Sequence, residues 1–368
     1  MRHVYLAATG QNRGKTTVSL GVLDGFGRRG LSAGFIKPVG QHTVIADGVP
    51  ADEDAILMRQ VFGLAEPLAQ MSPVHIPRGF TQSYIEGAVV EDLPARIRAA
   101  HAAFTRDREI LLIEGTGHAG VGAVIGLSNA AVAAMLGAPA VIVSEGGVGR
   151  PIDEIVLNAA LFERHGVHVA GAIVNKVDLD SKPGLATTLE RGLARYGIPL
   201  LGVLPYRPIL SNPTLAMVVD GIHGETLNAG PDLDQVIGGV AIGAMEPAHV
   251  LQRISVRSLV IVPGDRTDVI RAIVGAHVDA AAQGNGVLGL VLTGGYRPDG
   301  AVIDAIRAAD LFAILVPEDT YVVASQVHDL RVKTHFSDLG KIAEIKALVW
   351  EHLFIDRVLG VAASATGT

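Results

Sequence analysis

The sequence predicts an α/β protein of two domains, the first built on a mostly parallel β-sheet with helices on both faces and followed by a second, smaller α/β domain. Apolar runs of strand length alternate with segments of helical period throughout the chain, which is typical of parallel sheets. Hydrophobic residues make up 49% of the chain and aromatic residues only 4%, an aliphatic balance that suits buried parallel strands. The length of 368 residues exceeds the usual size of one domain, so two domains are expected.

In the first half, apolar runs predict six strands and longer periodic segments predict three helices. The strands are expected at Val4–Ala7, Ser32–Ile36, Glu109–Ile113, Pro139–Val143, Val169–Val174 and Leu200–Val203. The helices are expected at Lys15–Arg29, Ile152–His165 and Leu185–Tyr196. Together they define a first domain over residues 1–212.

Residues 213–246 are rich in Asn, Gly and Pro, which predicts a connection between domains. A second α/β domain is expected over residues 247–356, and a flexible tail over residues 357–368. The second domain has predicted strands at Leu259–Val262, Val287–Leu292 and Phe312–Val316. Its helices are predicted at Thr267–Ala281, Ala301–Ala309, Tyr321–Val327 and Lys341–Leu353.

Composition excludes several classes of function. A formal net charge of −7 and the scarcity of aromatic residues argue against nucleic-acid binding. The longest apolar stretch, Ala130–Val143, is short for a membrane span and contains Gly137 and Pro139. No signal peptide is recognisable and there is no cysteine, so we expect a cytoplasmic protein without disulfides or thiolate metal sites.

A phosphate-binding loop is predicted between the first strand and the first helix, where the Walker A motif (GxxxxGK[ST]) occurs. Its residues are Thr9-Gly10-Gln11-Asn12-Arg13-Gly14-Lys15-Thr16-Thr17. Backbone N–H groups of such a loop point at phosphates, Lys15 supplies positive charge to the β and γ phosphates, and the Thr16 hydroxyl suits Mg²⁺. A strict motif would have glycine at Thr9. Nucleoside triphosphate and Mg²⁺ are the expected ligands.

Acidic residues elsewhere are expected to complete the Mg²⁺ shell. Glu114 ends an apolar strand, and a carboxylate at the carboxyl end of a parallel strand faces the ligand crevice. Asp52 and Asp54 precede a helical pattern, where acids serve as helix caps as readily as metal ligands. The spacing leaves this choice open.

Two further strand ends carry polar residues. Lys37 ends the second strand and is a candidate to contact a phosphoryl group or a substrate carboxylate, although most lysines lie at the surface. Asn175 follows the fifth strand within Asn175-Lys176-Val177-Asp178 and is a candidate to read a purine base through its amide. Because this pattern also occurs in GTPases, where the aspartate accepts from guanine, ATP and GTP both remain possible.

Lys15-Thr16, Lys37, Asp54, Glu114-Gly115 and Asn175 are similar in order and spacing to dethiobiotin synthetase, a P-loop ligase. A fuller match is to the N-terminal region of the long bacterial phosphate acetyltransferases. That region is resembled by Val18-Ser19-Leu20-Gly21-Val22, Phe35-Ile36-Lys37-Pro38, Ile113-Glu114-Gly115 and Val174-Asn175-Lys176. In the second domain, Pro263–Ile270 resembles its DRTGG motif, with Asp268 and Val269 in place of two glycines, and Leu292–Tyr296 resembles the segment that follows.

The resemblance covers about residues 1–355 and stops where the acetyl-transferring domain would begin, so acetyl transfer is not implied. It implies a dethiobiotin-synthetase-like P-loop fold followed by a smaller DRTGG-like α/β domain. It also implies that Thr16, Asp54 and Glu114 hold Mg²⁺, that Lys15 contacts phosphate, that Lys37 contacts phosphate or substrate, and that Asn175 contacts the base. The related ligases are dimers, which implies a homo-oligomer.

Arg266, in the turn before a predicted helix, has two interpretations. Either it forms a local ion pair beside a helix cap, or it holds a small anionic effector at the helix N-terminus.

Three functional hypotheses follow. The first is an Mg²⁺-dependent ATP-binding protein with slow ATP hydrolysis that acts as a regulatory, nucleotide-sensing module, with a metabolic enzyme as a possible partner. The second is an ATP-dependent ligase or kinase that acts on a small carboxylate or carbamate. Against ligation of the biotin precursor, Gly115–His118 departs from the Gly-Ala-Gly-Gly of that ligase. The third is a GTPase that uses Asp178.

Overall fold

The computed structural model describes residues 1–104, 108–179, 184–230, 232–281, 284–330 and 332–364. The chain forms two compact units. The first comprises Met1–Tyr206 together with the described residues that follow Lys333, and the second comprises Arg207–Lys333.

The helices and strands have the following bounds. The strands are β1 (Arg2–Ala8), β2 (Ala33–Ile36), β3 (Val39–Gly40), β4 (Thr43–Ala46), β5 (Val49–Asp52), β6 (Val74–His75), β7 (Ile110–Glu114), β8 (Ala140–Glu145), β9 (Val169–Val177), β10 (Leu200–Pro205), β11 (Glu225–Asn228), β12 (Gly239–Ile242), β13 (Ser258–Pro263), β14 (Gly289–Thr293), β15 (Phe312–Leu315) and β16 (Ala363–Ser364). The helices are α1 (Lys15–Arg28), α2 (Glu53–Phe62), α3 (Leu68–Met71), α4 (Phe80–Ile85), α5 (Leu93–Phe104), α6 (Asn129–Met135), α7 (Gly149–Arg164), α8 (Leu185–Ala194), α9 (Pro208–Ser211), α10 (Leu215–Gly221), α11 (Pro247–Leu251), α12 (Thr267–Ala281), α13 (Gly300–Ala308), α14 (Thr320–His328), α15 (Leu339–His352) and α16 (Ile355–Val361).

The first unit is built on a sheet in the order β10-β9-β8-β1-β7-β2, in which all neighbours are parallel. β16 adds an antiparallel pairing to the start of β1. The six long strands coincide with the six predicted strands to within three residues at each end, because each is a short, almost wholly buried aliphatic run. Since parallel strands share one direction, the ends of β1, β2, β7 and β9 carry their loops to one edge of the sheet.

Between β2 and β7 the chain forms smaller elements that the sequence did not specify. β4 and β5 form an antiparallel hairpin, and β3 pairs in parallel with β6. Asp52, at the end of the hairpin, caps α2 by accepting a hydrogen bond from the backbone N–H of Asp54. This hairpin and cap bring the start of α2 beside β2.

The second unit contains a five-stranded sheet in the order β11-β15-β14-β13-β12, parallel except for the antiparallel edge strand β11. Buried aliphatic side chains cover both faces of this sheet. One cluster includes Val260, Leu290 and Ile270 of α12, and the other includes Leu259, Val291 and Val323 of α14. The predicted fold class is therefore confirmed for both domains.

The domain boundaries differ from those predicted. Residues 213–246 are not a connection, because they supply α10 and both edge strands, β11 and β12, of the second sheet. Of the residues that indicated a linker, Gly221 ends α10 and Asn228 ends β11, while Pro213, Gly224 and Gly230 lie between these short elements. Pro231 lies outside the described residues. α15 does not close the second unit but packs on α1 of the first. Its periodic pattern specified a helix without specifying which core the helix covers.

The C-terminal residues are also more ordered than predicted. α16 occupies Ile355–Val361 and β16 follows it, while residues 365–368 of the expected tail lie outside the described part of the chain. Among the described residues, no helix is both long and apolar enough to cross a membrane.

Candidate functional site: a phosphate loop with an acidic pair

The loop between β1 and α1 has the backbone geometry of an anion-binding turn. Gly14 caps α1 at φ 88°, and Asn12 also has a positive φ of 57°. A Cβ on Gly14 would lie 2.0 Å from Nδ2 of Asn175, so both the conformation and the space require glycine. The first N–H groups of a helix have no acceptor within the helix, and here no side chain caps them. These donors are therefore directed at the space in front of the loop.

Lys15 and Thr16 open α1, as predicted. Lys15 is buried, and burial followed by the repulsion of Lys37 lowers the pKa of Lys15 to about 8, with Glu114 and Asp54 acting in the opposite direction. Thr16 Oγ1 lies 3.1 Å from Oδ1 of Asp54 and 3.5 Å from Oε1 of Glu114. The start of the helix thus brings together a cation and a hydroxyl that contacts two carboxylates.

Asp54 and Glu114 come from different elements and converge on Thr16. Glu114 ends β7, is fully buried and also accepts a hydrogen bond from Ser19 Oγ at 2.5 Å. Asp54 lies in the first turn of α2, whereas Asp52 is the helix cap. The geometry therefore separates the two aspartates that the sequence left equivalent.

Lys37 bridges the two carboxylates. Its Nζ donates to Oδ2 of Asp54 at 2.6 Å and to Oε1 of Glu114 at 2.7 Å. Burial alone lowers the pKa of Lys37, but Asp54 and Glu114 outweigh burial and raise it well above the ordinary value. Burial raises the pKa of Glu114 to about 7, against the effect of Lys37. Lys37 is thus a buried charged residue, and the carboxyl group of Glu114 loses its proton at a higher pH than an ordinary glutamate does.

These oxygens suit Mg²⁺. Mg²⁺ prefers hard oxygen ligands, and it commonly takes one or two carboxylates from the protein and the remainder from phosphates and water. Thr16 Oγ1, Asp54 Oδ1 and Glu114 Oε1 form such an incomplete set. Within the described part of the chain, no group of three or more His, Cys, Asp or Glu side chains could hold a metal.

Two residues near the end of β9 form hydrogen bonds with the loop between β1 and α1. Asn175 Nδ2 donates to the carbonyl oxygen of Arg13 at 3.1 Å, and Lys176 Nζ donates to that of Asn12 at 2.8 Å. One N–H of the Asn175 amide is thereby used by the loop, a contact that the prediction of a base-reading amide did not include. Lys176 was not predicted as a site residue.

The remaining loop residues form a charged network that the sequence analysis missed. Thr9 Oγ1 donates to Glu154 Oε2 at 2.8 Å, which gives the residue at the nonstandard motif position a hydrogen-bonding role. Arg13 forms ion pairs with Glu145 and with Glu154. No sequence signal identified Glu145 or Glu154, because β8 and α7 approach the loop only in the folded chain. Gly10, Gln11 and Thr17 lie in the loop or the first helical turn, as predicted.

The fold and the loop define a P-loop protein with a second α/β domain. Residues 2–214 match the family described as "AAA domain", and the chain belongs to that family. Residues 217–330 match the family described as "DRTGG domain".

The predicted resemblance to phosphate acetyltransferases is confirmed. The chain is 29% identical to the phosphate acetyltransferase of Pseudomonas putida over 96% of its own length and 51% of that enzyme. It is 26% identical to the phosphate acetyltransferase of Synechocystis over 83% of its own length and 43% of that enzyme. The chain thus spans about half the length of these relatives.

Among solved structures, the septum site-determining protein MinD of Pyrococcus horikoshii, complexed with Mg-ADP, is similar at a TM-score of 0.36 and 16% identity. The match covers 57% of this chain and 83% of that protein. A likeness this low identifies no site residue.

Proposed function

We propose that this chain binds Mg²⁺–ATP, hydrolyses it slowly, and serves as a nucleotide-sensing regulatory module. One observation carries the proposal: Thr16 Oγ1 meets the carboxylates of Asp54 and Glu114 at the start of the helix that also presents Lys15. Nucleoside triphosphates need positive charge, backbone donors and metal oxygen ligands in one place, and this site supplies all three.

Each residue has a proposed role. The loop N–H groups from Gly10 to Thr17 bind the phosphates, and Lys15 neutralises the β and γ phosphates. Thr16, Asp54 and Glu114 hold Mg²⁺, which when bound offsets the negative charge of the phosphates. An anionic phosphate beside Lys15 would favour the protonated form of that residue, which burial disfavours.

Adenine is the proposed base. Because one N–H of Asn175 already donates to Arg13 O, the side-chain oxygen is the part of the amide proposed to meet the base. An oxygen acceptor suits the exocyclic amine of adenine. The alternative is guanine, read by Asp178, and comparison of ATP and GTP affinities in wild type and Asp178→Ala decides between them. If wild type binds GTP and Asp178→Ala does not, the proposed nucleotide is GTP and not ATP.

The regulatory role is proposed because of the second domain. The DRTGG match and the relatives support a module that reports nucleotide to an enzyme. We propose a cytoplasmic homo-oligomer. If a small carboxylate stimulated ADP release, the chain would be a ligase or kinase and not a sensor.

The test is Lys15→Ala in the whole chain, with Mg²⁺–ATP binding measured by calorimetry. Loss of a charge partner at a desolvated site costs about 2–5 kcal/mol, so we expect affinity to fall by about 30-fold or more. Circular dichroism should show an unchanged fold.

Lys346→Ala is the matched control. Lys346 is another lysine of the same unit. It pairs with Asp24, which lies on α1 well away from Lys15. Its loss should leave nucleotide affinity unchanged. Equal affinities in wild type and Lys15→Ala would refute the site.

A further inference from the structure

Lys37 lies where a cation is required between two carboxylates. Its side chain is only 5% exposed, and its Nζ contacts Asp54 at 2.6 Å and Glu114 at 2.7 Å. An ammonium group in such a position is more than a surface charge, because its removal would leave two acidic groups facing each other.

The same carboxylates face Thr16. Asp54 divides its two oxygens, with Oδ2 accepting from Lys37 and Oδ1 from Thr16. Glu114 does not divide them, since Oε1 accepts from Lys37 and also lies 3.5 Å from Thr16 Oγ1. Its other oxygen, Oε2, is taken by Ser19. A metal ion that takes both Thr16 and Glu114 as ligands must therefore share Glu114 Oε1 with the ammonium group or displace it.

Charge makes sharing unfavourable. Lys15 and Lys37 contribute +2 and Asp54 and Glu114 contribute −2, so the four ionised side chains sum to zero. Mg²⁺ alone would leave this largely buried cluster with two uncompensated positive charges, which a low-dielectric site disfavours. When Mg²⁺ is bound to a triphosphate, the phosphates supply negative charge and offer Lys37 new oxygen acceptors.

We propose that the Lys37 ammonium group and Mg²⁺ are alternative cations for the Asp54–Glu114 pair. Lys37 occupies the pair until a nucleotide brings the metal and accepts the displaced ammonium group. The protein consequently discriminates against free Mg²⁺ and binds the metal as part of the nucleotide complex. This inference rests on the proposed function, and it assigns to Lys37 the control of metal entry.

The experiment is a titration of the full chain with MgCl₂ in the absence of nucleotide, followed by calorimetry and by thermal unfolding. Lys37→Gln keeps amide donors for the two carboxylates but removes the charge. We expect it to bind Mg²⁺ about tenfold or more tightly than wild type, because a like charge a few ångströms away is removed. Its unfolding temperature should rise with Mg²⁺ at concentrations that leave wild type unchanged.

Two variants control for other causes. Lys37→Arg keeps the positive charge and should show no gain in Mg²⁺ affinity. Lys37→Gln combined with Glu114→Gln removes a carboxylate ligand and should lose the gain. Equal Mg²⁺ affinity in Lys37→Gln and wild type overturns the proposal. So does a Lys37→Gln chain that stays unfolded in EDTA and in Mg²⁺ alike, since the metal should replace the ammonium group.

The outcome is separable from that of the proposed function. If wild type binds Mg²⁺–ATP and Lys15→Ala does not, the nucleotide site stands whatever the Lys37 variants show. If wild type fails to bind Mg²⁺–ATP, the proposed function fails, while the Mg²⁺ titrations still measure whether Lys37 competes with the metal.

Discussion

The two units differ in the charge of the polar side chains that are buried beside their sheets. In the first unit, four charged side chains are buried: Lys15, Lys37, Asp52 and Glu114. In the described part of the second unit, the buried polar side chains are the uncharged Ser258 and Thr293, and the Thr293 hydroxyl is 2.7 Å from that of Thr320. Among the described residues, buried charge therefore lies in the first unit and not in the second.

Buried charge is the property that distinguishes the candidate site of the first unit from the second unit. Burial of a charge costs free energy unless a partner compensates it, so a fold keeps buried charges where partners are fixed or exchanged. In the first unit the lysines and carboxylates compensate one another. In the second unit, Arg266 is half-buried and pairs with Asp268 two residues away, which agrees with the local ion pair rather than with a ligand-directed side chain.

Replacement of Glu114 by alanine should have the largest effect on stability. The variant removes acceptors from Lys37 and Ser19, and Lys37 keeps only Asp54 as a carboxylate partner. We expect the free energy of unfolding to fall by about 3 kcal/mol, measured by urea denaturation. Asp268→Ala, which removes an exposed carboxylate of the second unit, is the control and should change little. Equal losses in the free energy of unfolding would show that the buried carboxylate contributes no more to stability than the exposed one.

Much of this contrast could be predicted from the sequence. The strands of both sheets follow from aliphatic runs, and the loop follows from the order strand, glycine-rich turn, Lys15-Thr16, helix. Glu114 and Lys37 were placed at one edge because they end parallel strands. Local pattern was sufficient for these features, since each depends on residues close in sequence.

Features that depend on distant residues could not be predicted. Asp52 and Asp54 are two residues apart, and only the fold shows that one caps α2 while the other contacts Lys37. Glu154 reaches Thr9 across 145 residues. α15 has an ordinary helical pattern, and its place against α1 depends on the shape of the surface that it covers.

The packing of α15 on α1 gives the prediction of intermediate size. A Cβ on Gly21 would lie 2.2 Å from Cβ of the buried Val349, so Gly21→Ala should lower the free energy of unfolding by roughly 1–3 kcal/mol through overpacking. Gly27→Ala, on the same helix, has no atom within 4 Å of the new Cβ and should be neutral or stabilising. Thermal unfolding of both variants provides the measurement. Greater stability of Gly21→Ala would contradict the assignment of α15 to the first unit.

Arg266→Ala should have the smallest effect. Its guanidinium group donates to Asp268 and to the backbone oxygen of Met245, both within the second unit. Exposed pairs of this kind contribute little, because water solvates the separated charges almost as well. We therefore expect unchanged Mg²⁺–ATP affinity and an unfolding temperature close to that of wild type. A clear loss of nucleotide affinity in Arg266→Ala would contradict this expectation. It would show that the charge of Arg266 contributes to nucleotide binding although it is not buried.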